Sequence, residues 1–123
     1  MERRLLSLAF ALGGVAYISD MMQEVYNDLY SLKGSELRTK YACLLKEARY
    51  LERFLTDIQT ELHVDVAKEN LKKLKEELGR ANVYRMEDKD IKESSLNIIN
   101  ILESIMENAK MKMIELSSKQ RSF

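Results

Sequence analysis

The chain of 123 residues has no proline, no tryptophan, one cysteine, one histidine and four glycines. Each shortage removes a class of explanation. With so few helix breakers, long helices run with little interruption, and Gly13, Gly14, Gly34 and Gly79 become the main punctuation. Cys43 alone cannot close an intrachain disulfide or supply a cysteine-rich zinc site, which favours a reducing, cytoplasmic setting. No glycine-rich phosphate loop is present, so the ordinary nucleotide-binding signatures are missing. The 20 basic and 20 acidic side chains cancel, and no net field draws the chain toward nucleic acid or an anionic bilayer.

What is present is the composition of a folded soluble chain, 46% hydrophobic and 33% charged. The length suits one domain over residues 1–123, able to bury a continuous core without metal or disulfide support. From Leu5, a seam through Leu8, Leu12, Val15, Ser19, Met22, Tyr26 and Leu29 advances by alternating steps of three and four. A second seam through Ala11, Val15, Ile18, Met22, Val25, Leu29 and Leu32 lies beside it. Two adjacent seams predict a helix over about 2–32, roughly 45 Å long, buried against more than one neighbour. Lys33-Gly34-Ser35 then supplies a stop and a cap, so the next helix, about 36–62, returns antiparallel. It carries Leu37, Tyr41, Leu44, Ala48, Leu51, Leu55, Ile58 and Leu62 in register.

The phase shifts near His63 to Asp65 and resumes at Ala67, Leu71, Leu74 and Leu78, predicting a break, a cap at Asp65 and a short helix over about 66–78 that ends at Gly79. A connection follows, with one possible helical turn. A last helix over about 89–118 carries Ile91, Ile98, Leu102, Ile105, Ala109 and Leu116, widened by Ile99, Met106 and Met113. The expected fold is all-α, an antiparallel bundle of three long helices and one shorter one. Acids four residues before bases, as in Glu36 and Lys40 or Glu76 and Arg80, mark solvated faces.

The stretch between Arg4 and Asp20 carries no charge and has the look of an export signal or membrane anchor. A bilayer span asks for about 20 consecutive apolar residues, more than this run supplies. Its seams continue in phase to Leu32, through any cleavage point near Ala16. The expectation is a retained, buried helix and no membrane partner. Glycines inside a helix each cost about 1 kcal/mol relative to alanine, so Gly13 and Gly14 need a packing reason. Ala9, Gly13 and Ala16 form a small-residue stripe, predicted as a close helix-helix crossing in the fold or in a dimer.

Catalytic chemistry finds little support. His63 lacks the glutamate three residues earlier that carboxylate-bridged metal bundles need, since Thr60 stands there. Asp20, Glu24 and Asp28, and likewise Glu103 and Glu107, share helix faces without the histidines of a transition-metal site. No catalytic residues, metal ligands or cofactors are assigned, and no enzyme is expected. Arg38, Lys46, Arg49 and Arg53, interleaved with Tyr50, form a basic stripe of the kind that binds single-stranded nucleic acid or a phosphate-bearing ligand, interrupted by Glu47 and Glu52. Met111 is expected to be exposed, and Cys43 to be a half-buried, inert thiol. Because the short helix cannot cover three long ones evenly, the leading functional expectation is an interaction or assembly module, a homodimer or the partner of another helical protein. Nucleic-acid or phosphate binding is the alternative.

Overall fold

A computed structural model describes residues 3–27, 35–63 and 65–121. Four helices account for nearly all of them: α1 (Arg3–Asn27), α2 (Ser35–Leu62), α3 (Lys68–Arg80) and α4 (Asp88–Arg121), with a 3-10 turn at Val83–Arg85 before α4. The all-α expectation holds, with no strand among the described residues. The stop at Lys33-Gly34 lies outside the described residues. In the bundle α1 packs between α2 and α4, and α3 packs between the same two helices on the other side. Cross-helix pairs fix the directions. Arg3 bonds Glu61 and Lys40 meets Glu24 at 3.6 Å, so α2 runs antiparallel to α1. The Lys92 ammonium sits 5.3 Å from the centre of the Tyr26 ring, a cation-π contact, while Leu5 clusters with Leu116, so α4 also opposes α1.

The core follows the predicted seams. On α1 the inward side chains are Leu5, Leu8, Ala11, Val15, Ile18, Met22 and Val25, with Ser19 filling a buried polar slot as the spacing implied. Leu37, Tyr41, Leu44, Leu45 and Ala48 on α2 meet Leu71, Leu74 and Leu78 on α3 and Ile91, Ile98 and Leu102 on α4 in one continuous cluster. A satellite cluster of Leu5, Leu8, Ala109 and Leu116 closes the end that α3 does not reach. Asn70 of α3 lies level with Asn108 of α4, a 3.5 Å contact, so the last turns of α4 run on without α3 beside them. Met111 and Ile114 are exposed there, Met111 as expected.

Several boundaries differ from the sequence expectation. Asp65 does not cap α3; the N-cap is Ala67, which makes no side-chain cap bond. Gln59 of α2 instead fixes the approach to α3, its Oε1 accepting from the backbone N–H groups of Val66 at 2.9 Å and Ala67 at 3.4 Å. The break itself falls where expected: His63 takes a left-handed backbone, φ 52°, directly after α2. Gly79 does not end α3, which continues to Arg80 before Ala81 turns extended. Asp88 starts α4 one residue before the expected 89, and Asp90 Oδ2 accepts from the Glu87 N–H at 2.9 Å.

The small-residue stripe forms no crossing among the described residues. Ala9 and Gly13 are exposed, Ala16 is half-buried, and a Cβ on Gly13 would meet nothing within 4 Å. The close approach lies one residue on, where a Cβ on Gly14 would stand 3.1 Å from Leu51 Cδ1 of α2. A one-residue step turns a helix face by about 100°, which carries the contact from the outer surface to the α1-α2 seam.

Two predictions follow from this packing. Gly14→Leu loses about 1–2 kcal/mol in chemical denaturation, because overpacking against Leu51 outweighs the helix-propensity gain; an unchanged midpoint would refute the close contact. The second concerns Tyr41, whose hydroxyl is buried and bonded to Ser94. Burial pushes its pKa above the ordinary value, partly offset by the Ser94 bond. The neutral phenol therefore stabilises the fold fully below about pH 10, and that contribution is lost as pH rises from there through the folded-state pKa. Tyr41→Phe should lose about 1 kcal/mol at neutral pH, since it leaves Ser94 without this partner, and should show a shallower alkaline limb in a pH-melting series.

Candidate functional site

The basic stripe on α2 divides in two when folded. Arg38 and Arg49 turn toward the end of α3 and its connection to α4. Arg38 Nη1 donates to the Val83 carbonyl at 2.7 Å, and its Nη2 lies 3.9 Å from Asp88 Oδ1. Arg49 Nη2 donates to the Leu78 carbonyl at 3.2 Å, in the last turn of α3, where a cation also complements the helix dipole. These two arginines hold elements together. Lys46, Arg49, Tyr50 and Arg53 do gather round a shallow depression of ≈ 140 Å³. Arg38 is not among them; it lines a larger groove of ≈ 510 Å³ that also takes in Arg49, Asn82 and Tyr84. The sequence could not distinguish a structural arginine from a ligand-binding one, because the carbonyls that Arg38 and Arg49 hold are 45 and 29 residues away in the chain.

His63 lies on an open groove of ≈ 530 Å³ between the end of α2 and the start of α3, with Glu52, Asp65, Lys68, Lys72 and Lys75 among its lining residues. Three lysines and two acids line it, and His63 is exposed. A third depression of ≈ 330 Å³ holds Glu77, Arg80, Asp90, Glu93 and Ser94. Glu77 is buried on α3 and is held by Arg80 at 2.7 Å. Among the described residues no three of His, Cys, Asp or Glu come together in a way that could hold a metal ion. Glu103 and Glu107 are both exposed, and Asp28 lies outside the described residues. Cys43 is exposed rather than half-buried: it sits beside the Leu44 seam but on the outer side of α2.

The largest feature that the seams did not anticipate is on α1. Its outer face carries Leu6, Phe10 and Tyr17, which are 49%, 67% and 55% exposed. Tyr50 and Phe54 of α2, on either side of Leu51, are exposed as well. Since Gly14 meets Leu51, the two helices present these rings near one shared edge. Apolar side chains grouped on one surface are costly in water. By length and composition α1 is also the one helix among the described residues that could cross a membrane, a test that a core helix and an N-terminal signal sequence pass equally. In the bundle 39% of its most apolar window is buried.

No protein-family model matches the chain, and neither a curated protein nor a solved structure matches it.

The division of the stripe is testable by stability alone. Arg49→Ala should lower stability by about 1 kcal/mol through the lost bond to the Leu78 carbonyl, whereas Arg53→Ala should stay within about 0.5 kcal/mol of wild type. Equal effects from the two would show that Arg49 has no anchoring role.

Proposed function

We propose that the chain is a protein-protein interaction or assembly module that acts as a homo-oligomer, docking helix against helix. The observation that carries this reading is the outer face of α1, where Leu6, Phe10 and Tyr17 stand exposed on a helix whose opposite face is already buried in the core. Support also comes from the open end of the bundle, where Met111 and Ile114 are exposed beyond the reach of α3. The balanced charge suits docking through apolar contact rather than capture of a polyanion. An exposed single thiol at Cys43 fits a cytoplasmic home, where it stays reduced.

Sedimentation equilibrium over the micromolar range tests the reading. A concentration-dependent rise in mass is expected. A strict monomer across that range overturns it. The alternative, binding of single-stranded nucleic acid or a phosphate-bearing ligand, rests on Lys46, Tyr50 and Arg53. It gains ground only if oligonucleotide binding at low salt weakens steeply with added salt and is lost in Arg53→Ala.

A further inference from the structure

The outward surface of α1 has a pattern of its own. Arg3, Leu6, Phe10, Gly13, Tyr17, Asp20 and Glu24 advance by steps of three and four without a break, and every one of them is exposed. This is a complete heptad seam on the solvent side of α1, its end charges Arg3 and Glu24 also pairing with Glu61 and Lys40 of α2. It is apolar in the middle, basic at its start and acidic at its end. Half-buried Ala16 and exposed Ala9 flank it, so a second backbone can come close.

We propose that this seam pairs with the same seam of a second copy, antiparallel about a two-fold axis, making α1 the centre of a homodimer. The inference rests on the assembly reading above and specifies its surface and partner. Antiparallel pairing brings each first-heptad position against a fourth position of the other helix. With residue numbers across the axis summing to 23, three layers are generated, each occurring twice. Arg3 meets the partner's Asp20, Leu6 meets the partner's Tyr17, and Phe10 meets the partner's Gly13. Opposite charges, two apolar side chains, and a large ring over a missing side chain are thus matched by one arrangement. Arg3 already holds Glu61, but a guanidinium has five N–H donors and can engage a second carboxylate. Parallel pairing in register would instead set Arg3 against Arg3 and Asp20 against Asp20. A lipid surface would have no use for the hollow at Gly13 and would meet Asp20 and Glu24 unfavourably.

Disulfide trapping in a Cys43→Ser background reads the geometry directly. Arg3→Cys and Asp20→Cys leave the apolar layers intact. Mixed together under mild oxidation, the two variants should form a covalent heterodimer. Neither should cross-link alone, because like positions lie about 25 Å apart along the pair, far beyond disulfide reach. Gly13→Leu gives an independent measure: the dissociation constant of the dimer should rise at least tenfold, while the melting temperature of dilute monomer is unchanged or higher, as none of the described residues comes within 4 Å of a Cβ there. Cross-linking by either single variant would mean parallel pairing and overturn the proposal. So would a dimer indifferent to Gly13→Leu that fails to cross-link in the mixture; its interface would lie elsewhere and the assembly reading would survive. A wild-type monomer overturns both, and one that floats with anionic phosphatidylserine vesicles would identify lipid as the occupant.

Discussion

Whether the chain forms three helices or four is decided between Leu62 and Lys68. No proline or glycine stands there to stop α2, and the residue that reverses the chain is a histidine in the left-handed region. Such a backbone costs an ordinary L-residue about 1–2 kcal/mol. The cost is offset locally, because Gln59 reaches from the last turns of α2 to accept the N–H groups of Val66 and Ala67, the two residues that lead into α3. Were α2 to continue straight, Leu71, Leu74 and Leu78 would leave the core, and the inner faces of α2 and α4 would lose their cover. One side-chain amide and one strained turn therefore keep the bundle closed.

The far end of α3 is held by different means. Arg38 and Arg49 both span the gap from α2 to backbone carbonyls, one in the last turn of α3 and one in the 3-10 turn. Tyr41 and Ser94 tie α2 to α4 in the interior beneath them. The Tyr41–Ser94 bond is buried and the two arginine bonds part-buried, and together they fix the depth and register at which the short helix sits. The apolar seams make helices adhere; these few polar contacts select one arrangement among several that the seams permit.

That distinction explains what the sequence disclosed. Heptad spacing revealed the helices, the antiparallel sense of the first hairpin and nearly every core residue of α2 and α4, because burial on one side imposes a period that a sequence retains. On α1 the two predicted seams take in all eight buried residues. Apolar and small residues also lie on its outer side, at a heptad spacing that those seams leave out. The glycine pair was harder to place: Gly14 faces Leu51 and Gly13 faces outward, yet they are adjacent and identical. Long-range polar contacts were hidden for another reason. Nothing local marks Gln59 as the receiver of two N–H groups seven and eight residues on, or Arg49 as an anchor for Leu78. The outer heptad on α1 was present in the sequence all along, but only the exposure of its members separates it from the core.

The unequal lengths of the helices give the bundle a direction. Through its middle, four helices enclose the core, and side chains such as Met22, Tyr41, Leu74 and Ile98 lose all contact with water. Toward the first turns of α1 and the last of α4 only three helices remain, and the core thins to Leu5, Leu8, Ala109 and Leu116. Local opening starts where few apolar contacts oppose it. Amide exchange should thus fall along a gradient, fastest at this thin end and slowest beside α3. Because α1 runs from one regime into the other, fraying at its start can be absorbed without disturbing the tightly packed turns from Val15 to Val25.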